Sequence, residues 1–163
     1  MNLLKKLIPK RIEQLVYVLN KNEELPSLKI GFNIEESLIT NNYNSKKKKT
    51  KHQLLINQDI VYTSNTFEKV HFMKSINEYN SLVIGDCFTY KNYRGLSIYP
   101  FMLQKVAKEM FQKVNKIFIL VSPENAASIR GIEKAGFTLL YKVSTIRVGV
   151  FYFLTRKTYQ NKI

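Results

Sequence analysis

Arg94-Gly95-Leu96-Ser97-Ile98-Tyr99, within "YKNYRGLSIYPFMLQKVAKEMF" at 90–111, is the segment best suited to chemistry with an anion. It stands where an apolar strand gives way to an apolar-periodic helix. A helix start exposes N–H groups without intrahelical partners and the positive end of a dipole, so phosphate settles there. Arg94 adds a side-chain donor suited to phosphate oxygens. Gly95 can take dihedrals that turn the chain and let the backbone approach a ligand. Glycine-rich phosphate loops usually carry more than one glycine, and here Gly95 stands alone. The work falls mostly to backbone N–H groups, however, and Leu96, Ser97, Ile98 and Tyr99 all keep theirs. The plain alternative is a strand-to-helix turn that binds nothing.

Four other side chains have reactive types. Asp86 is the only ionisable carboxylate in the apolar strand "SLVIGDCFT" at 81–89. Burial there would raise its pKa toward that of a general base; the competing reading is a structural aspartate bonded to backbone or to a neighbouring Tyr or Arg. Cys87 has no histidine near it in sequence and reads as a small buried residue rather than a nucleophile. His52, beside the lysine run, reads as the start of a strand. His71 lies in the 67–80 segment, either as a surface histidine or on a substrate lip.

Several elements must position these residues. Apolar residues at Leu3, Leu4, Leu7, Ile8, Ile12, Leu15, Val16 and Leu19 are near helical spacing, with Pro9 a break or first-turn residue. Lys5, Lys6, Lys10 and Arg11 make this a basic amphipathic element, expected to pack on its own sheet, with membrane contact the weaker reading. Residues 25–44 fit either a short strand or a helix. "HQLLIN", a turn at Gln58-Asp59 and "IVYTSNTF" read as a hairpin, and 67–80 as a connection or added arm. Strand 81–89 reads as covered on both faces. A helix over about 96–113 buries Phe101, Leu103, Val106, Met110 and Val114, and strand 116–122 follows, giving a right-handed βαβ unit. In "PENAASIRGIEKAGF" Asn125 or Glu124 caps a short helix that Gly136 stops. Antiparallel strands at 138–143 and 147–155 close the pattern. With no repeat and no linker, one mixed α/β domain over 1–163 is expected.

Composition narrows the classes. The chain has 163 residues, enough for one buried core. No apolar run approaches the roughly 18 residues of a membrane span, and no secretory signal is visible. One cysteine excludes an internal disulfide framework, and two histidines weaken any zinc site, so a reducing cytoplasm and no metal are expected. The net charge of +14 predicts attraction to polyanions without choosing among nucleic acid, anionic lipid and phosphorylated small molecules. Part of it sits in "SKKKKTKH" at 45–52, which reads as a solvated, mobile loop.

The segments "TYKNYRGLSIYP" and, from Asn125 to Phe137, "NAASIRGIEKAGF" resemble, in this order and spacing, the GCN5-related N-acetyltransferase (GNAT) superfamily. Its phosphate motif is (Arg/Gln)-x-x-Gly-x-(Gly/Ala) between a buried strand and a long helix. Counted from Arg94, the two glycine positions hold Ser97 and Tyr99, so the Tyr99 ring must turn away from the phosphates or cover them. The resemblance spans roughly 52–155, while 1–50 matches only loosely. It implies a central, mostly antiparallel mixed sheet with a splayed parallel strand pair, flanked by helices. "IGDCFTYKNYRG…IYP" with "PENAASIRGIEKAGF" looks like GNAT proteins of bacterial polysaccharide and amino-sugar pathways, which acylate amines on nucleotide-linked sugars.

The resemblance implies acetyl-CoA as cofactor and a small-molecule amine as acceptor. Cofactor contacts would come from Cys87, Phe88, Thr89, Arg94, Gly95, Leu96, Ser97, Ile98, Tyr99, Asn125 and Ser128, with Arg130 reaching the nucleotide end. Asp86 would stand beside the thioester as base. The family's usual acid, a tyrosine seven residues after the motif asparagine, is here Ile132. Tyr99, Tyr90 or Tyr141 could replace it, Tyr99 first. Competing readings are a coenzyme-binding protein without turnover, acylation of a protein or peptide amine, and a nucleic-acid module on the lysine loop. Nucleic acid is not the expected partner, and homodimerisation stays open.

Overall fold

Eight strands form one sheet in the order β2-β3-β4-β5-β6-β1-β7-β8, antiparallel except for the β5–β6 pair. The strands are β1 Lys10–Asn20, β2 Ser37–Asn44, β3 Lys49–Ile56, β4 Asp59–Phe67, β5 Leu82–Thr89, β6 Lys116–Val121, β7 Thr138–Val148 and β8 Phe151–Tyr159. The helices are α1 His71–Ser75, α2 Ile98–Met110 and α3 Ala126–Lys134. This computed structural model describes residues 8–79 and 81–159.

The mixed α/β expectation holds, and its centre is the βαβ unit β5-α2-β6. The run KIFILV of β6 is apolar because β6 lies inside the sheet, between β5 and β1. One sheet face, with Tyr17, Leu19, Ile84, Ile117 and Ile119, packs under Phe101, Leu103, Val106 and Met110 of α2 and Ile132 of α3. Phe72 and Met73 of α1 cover the opposite face over Val16, Val18, Val83 and Phe118. Each such fully buried aliphatic or aromatic side chain contributes about 1.5–3 kcal/mol by leaving water.

The helix expected over 3–19 is overturned where it is described: Lys10–Asn20 is strand β1, while Leu3, Leu4 and Leu7 lie outside the described residues. The first half of β1 pairs with β7 alone. The second half runs between β6 and β7 and buries four consecutive residues, Val16 to Leu19. A half-covered stretch followed by a fully covered one mimics helical spacing. Residues 25–44 resolve into an irregular segment to 36 and then β2. Leu25, Leu28 and Phe32 of that segment lie on the α2 core, and Gln104 Nε2 donates to the Pro26 carbonyl at 2.9 Å.

Of the segment 45–52 expected as a solvated loop, residues 45–48 form the exposed turn of a β2–β3 hairpin closing on the Asn44–Lys49 pair, and the rest belongs to β3. The next turn falls at Asn57-Gln58, one residue earlier than expected, with φ of 50° and 70°. Two left-handed residues match the twist of a two-residue hairpin. The 67–80 connection contains α1. Gly136 has φ of 96° and follows α3, as a C′ glycine should. The last two strands run longer than expected and are antiparallel. No helix among the described residues is long and apolar enough to cross a membrane.

His52 lies within β3 and is fully buried. Its Nδ1 donates to Asn41 Oδ1 at 2.7 Å, and Nε2 accepts from Thr66 Oγ1 at 2.8 Å. Asn41 in turn donates through Nδ2 to Glu109 Oε2 at 2.7 Å, which fixes the amide orientation and hence the imidazole tautomer. Burial pushes this imidazole down to about 4 from its ordinary value near 6.5. The folded pKa is the lower one, so the stabilisation is complete above about 6.5 and is lost as pH falls toward 4. Urea unfolding at pH 7 and pH 5 should therefore show an extra loss of about 2 kcal/mol in the native protein relative to His52→Gln. Equal losses in both proteins would contradict this role.

Candidate active site

The parallel pairing of β5 with β6 covers three residue pairs, Leu82–Ile117 to Ile84–Ile119, and then stops. Beyond Ile84 the two strands part. On the other side of β5, Gly85 pairs with Asn65 and Phe88 with Thr63, so Asp86 and Cys87 together oppose the single residue Ser64. This is a β-bulge, and Asp86 occupies its left-handed position with φ of 51°. Aspartate is one of the few non-glycine residues found there with any frequency.

The bulge sends its two residues to opposite faces. Cys87 packs into the α2 side, whereas Asp86 opens on the α1 side and is exposed. The expectation of a carboxylate in a strand covered on both faces is thereby corrected. Only Leu82–Ile84 are buried along β5. Its Oδ2 accepts a hydrogen bond from Asn65 Nδ2 at 3.1 Å.

After β5 the chain makes a 3-10 turn at Lys91–Tyr93 and reverses through Gly95, φ 82°, and Ser97, φ 61°, before α2 begins at Ile98. A Cβ on Gly95 would meet nothing within 4 Å, so the demand there is purely dihedral. No backbone or side-chain acceptor among the described residues takes the N–H groups of Leu96, Ser97, Ile98 or Tyr99. Pro100, the third helical residue, has no N–H to satisfy. The sequence expectation of a run of free donors is thus met in geometry.

Ser97, Ile98 and Tyr99 of this run line a cavity of about 660 Å³ between β5, α2 and α3. Of the eleven residues expected at a cofactor, ten line it: Cys87, Phe88, Thr89, Arg94, Gly95, Ser97, Ile98, Tyr99, Asn125 and Ser128. Leu96 does not; its side chain lies on the core and against Gly31, whose N–H bonds to the Leu96 carbonyl at 3.1 Å. Three cations stand on the wall. Arg94 donates through Nε to the Thr89 carbonyl at 3.0 Å and lies 5.8 Å from the Phe88 ring centroid, leaving its terminal nitrogens for a ligand. Lys134 donates to Ser97 Oγ at 2.9 Å, and Arg130 stands on the same helix. Asn125 caps α3 by accepting the Ser128 N–H at 3.1 Å, which leaves its Nδ2 as the group free for a ligand.

Lys134 and Gly131 had not been expected here. The only sequence signal for Gly131 was a glycine inside a helix. Its reason is the Tyr99 ring, which lies flat across α3: a Cβ on Gly131 would come within 2.3 Å of Tyr99 Cδ1. The ring thus packs against α3, and Tyr62 lies on its other side in the core at a centroid distance of 6.4 Å.

Cys87, Tyr99 and Ser128 line the cavity, and the Tyr62 ring lies buried beside Tyr99. The Tyr62 hydroxyl is fully buried and has no hydrogen-bond partner among the described residues. Burial pushes both phenols above the usual tyrosine range and the Cys87 thiol up to about 11. All three are therefore protonated at neutral pH, able to donate protons and unable to act as bases. Ile132 is fully buried in the core and supplies no acid. Of the tyrosines considered as substitutes, Tyr99 lines the cavity. Tyr90 stacks edge-on against Phe88 at 5.1 Å outside it, and Tyr141 lies on the opposite face.

His71 lines a second cavity, on the α1 face, together with Asp86. Among the described residues no three His, Cys, Asp or Glu side chains cluster as a metal site requires.

No family model and no curated protein matches the sequence. Solved structures do match the fold. A GNAT-family protein from Novosphingobium aromaticivorans superposes with a TM-score of 0.59 at 13% identity, over 84% of this chain and 63% of its own. An acetyltransferase of the GNAT family from Colwellia psychrerythraea gives 0.56 at 12% identity, over 94% and 57%. A Drosophila melanogaster protein gives 0.59 at 9% identity, over 86% and 52%. The chain thus spans between about half and two-thirds of the structures it matches. At these identities the likeness establishes the fold, and the fold is that of GNAT acetyltransferases, as the two sequence segments implied.

The Tyr99–Gly131 contact yields a direct check. Gly131→Ala should cost about 1–3 kcal/mol by overpacking. Most of that loss should vanish in a Tyr99→Ala background, giving a coupling above roughly 0.5 kcal/mol in a double-mutant cycle by urea denaturation. Additive effects would mean that the ring does not lie on α3.

Proposed function

We propose that the protein is an acetyl-CoA-dependent N-acyltransferase that acts on a primary amine, with an amino sugar on a nucleotide carrier as the acceptor. The observation that carries the reading is the set of unpaired N–H groups of Ser97, Ile98 and Tyr99. These residues line a cavity of about 660 Å³ whose wall holds Arg94, Arg130 and Lys134.

The residues present fit such a cofactor. Three amides, the positive end of α2 and three cations suit a pyrophosphate. Past Ile84, β5 has no strand on its β6 side, which leaves backbone groups of Cys87 and Phe88 to pair with an extended amide-bearing arm. Asn125 Nδ2 adds a donor along the same path. Bound there, acetyl-CoA would supply an activated acyl carbon on a thiol that leaves readily, with a pKa of about 8.5.

An amine must give up one proton as its nitrogen gains the acyl carbon, and the departing thiolate must take one up. In this reading Asp86, next to Cys87 in the bulge, would take up the first proton. The Tyr99 hydroxyl, kept protonated by burial, would supply the second. The amino-sugar acceptor draws support from the resemblance of "IGDCFTYKNYRG…IYP" to sugar-pathway GNAT proteins. The net charge of +14 also suits an acceptor that carries a diphosphate. A coenzyme-binding protein without turnover is the second reading, favoured by Ile132 at the usual acid position and by the exposure of Asp86.

Acetyl-CoA at about a hundredfold excess over its Kd should stabilise the fold by about 2.7 kcal/mol, a rise in Tm of roughly 5–10 °C. Arg94→Glu should abolish that rise. No shift with any acyl-CoA would overturn the reading. A shift without thiol release over a panel of amines would select the non-catalytic alternative.

A further inference from the structure

We propose that segment 25–32 is a strap that presets the phosphate-type turn for the coenzyme, with Gly31 as the positioning residue that holds Leu96 from the side away from the cavity. The proposal rests on the transferase reading above. It adds a residue on which coenzyme affinity depends, in the part of the chain that the family resemblance matches only loosely.

The turn needs a hold from outside. Gly95 and Ser97, on either side of Leu96, both take left-handed dihedrals, φ 82° and 61°. Glycine adopts such a dihedral freely, whereas serine is strained there and stays only where its surroundings impose it. The main chain of the turn supplies little of that constraint. Among the described residues Gly95 makes no backbone hydrogen bond, and Leu96 makes one, its carbonyl accepting the Gly31 N–H at 3.1 Å. Lys134 reaches Ser97 Oγ, but through a long side chain. A turn left to relax would carry the free N–H groups of Ser97, Ile98 and Tyr99 out of the arrangement a pyrophosphate needs.

Gly31 brings the strap against the turn at closest approach. A Cβ on it would come within 3.0 Å of Leu96 Cδ2 and 3.3 Å of Leu96 Cα. Its own φ is not left-handed, so the contact, and not the backbone, demands glycine there. The strap is fixed at further points. Phe32 stands edge-on to Phe101 of α2, with ring centroids 5.3 Å apart. Gln104 of α2 donates through Nε2 to the Pro26 carbonyl at 2.9 Å and to that of Ala135 at 3.4 Å. Pro26 packs on Gly136, where a Cβ would come within 2.7 Å of its Cδ. Segment 25–32 thus ties the turn, α2 and the end of α3 into one body, and these are three of the elements around the coenzyme cavity. Neither Gly31 nor Leu96 lines that cavity, so an effect on the ligand runs through the position of the turn.

The test reads coenzyme A binding by calorimetry in a cycle of variants. Gly31→Ala pushes on Leu96 and should weaken binding roughly tenfold or more, the worth of one amide–phosphate hydrogen bond out of place. In a Leu96→Ala background, where the nearest contact is gone, the same substitution should weaken it by less than about threefold. Phe72→Leu, a core change on the opposite face of the sheet, should lower the melting temperature and leave coenzyme affinity unchanged. In the free protein, the amide signals of Ile98 and Tyr99, two and three residues beyond the contact, should move in Gly31→Ala and not in Phe72→Leu.

Reciprocity supplies a second reading on the native protein. A strap that favours the binding form of the turn must itself be favoured by the ligand. Saturating coenzyme A should therefore slow hydrogen exchange of the Gly31 amide relative to the amides of β8, at the far edge of the sheet. This arm needs no variant and decides the matter even where Gly31→Ala does not fold. An unchanged affinity in Gly31→Ala, an equal loss in Phe72→Leu, or a Gly31 amide whose exchange ignores the ligand would overturn the proposal. Native protein that binds no coenzyme A would refute the transferase reading instead. The Ile98 and Tyr99 signals of free Gly31→Ala then still test the strap: displaced, they support its hold on the turn, and unmoved, they overturn it as well.

Discussion

Three residue pairs hold β5 to β6, and everything that can bind a ligand on either face depends on the pairing ending there. Parallel strands inside a sheet ordinarily continue together, because each abandoned N–H and C=O loses a partner that it must replace. Here Leu82 to Ile84 are anchored under α2 and over α1, while the bulge at Asp86 and Cys87 bends the rest of β5 toward β4. The parting leaves a slot with unpaired backbone on one wall, and the bulge gives that wall two different faces. One residue lines the cavity under α2 and α3, and the next carries a carboxylate to the far side.

The wall opposite the slot is set by a second constraint, the close approach of α2 and α3. Tyr99 fits only because residue 131 has no Cβ. Gly95 and Ser97 bring those amides round by taking left-handed dihedrals in quick succession. Lys134 ties the turn to α3 through Ser97 Oγ. Arg94 on the loop and Arg130 and Lys134 on α3 then make the mouth of the cavity positive, in a chain that carries +14 overall. Binding of a phosphorylated ligand at such a mouth weakens with salt, since exposed charges are screened within about 10 Å at 0.1 M.

Much of this was legible in the residues. The phosphate-type turn, the βαβ unit, the Asn125 cap and the Gly136 stop are local features, written in adjacent residues, and they appear where the sequence puts them. What was not legible depends on partners distant in sequence. β1 imitates a helix because its neighbours change from one strand to two halfway along. Asp86 looks buried in a run of apolar residues, and only the pairing with Thr63 and Asn65 reveals the extra residue that exposes it. Leu96 lies in the motif but serves the core, since Gly31 claims its carbonyl and packs against its side chain. Gly131 and Lys134 matter through contacts with α2, more than thirty residues away, which no spacing along α3 displays.

The free amides of the α2 start are the centre of the cofactor reading, and they can be observed one by one. In 15N-resolved NMR spectra, titration with coenzyme A should move the backbone amide signals of Leu96, Ser97, Ile98 and Tyr99 most, with Arg94 and Lys134 side-chain signals following. If those amides stay in place while signals of the lysine hairpin at 45–49 move instead, the protein binds polyanions by its surface charge, and the cavity beside α2 is not a cofactor site.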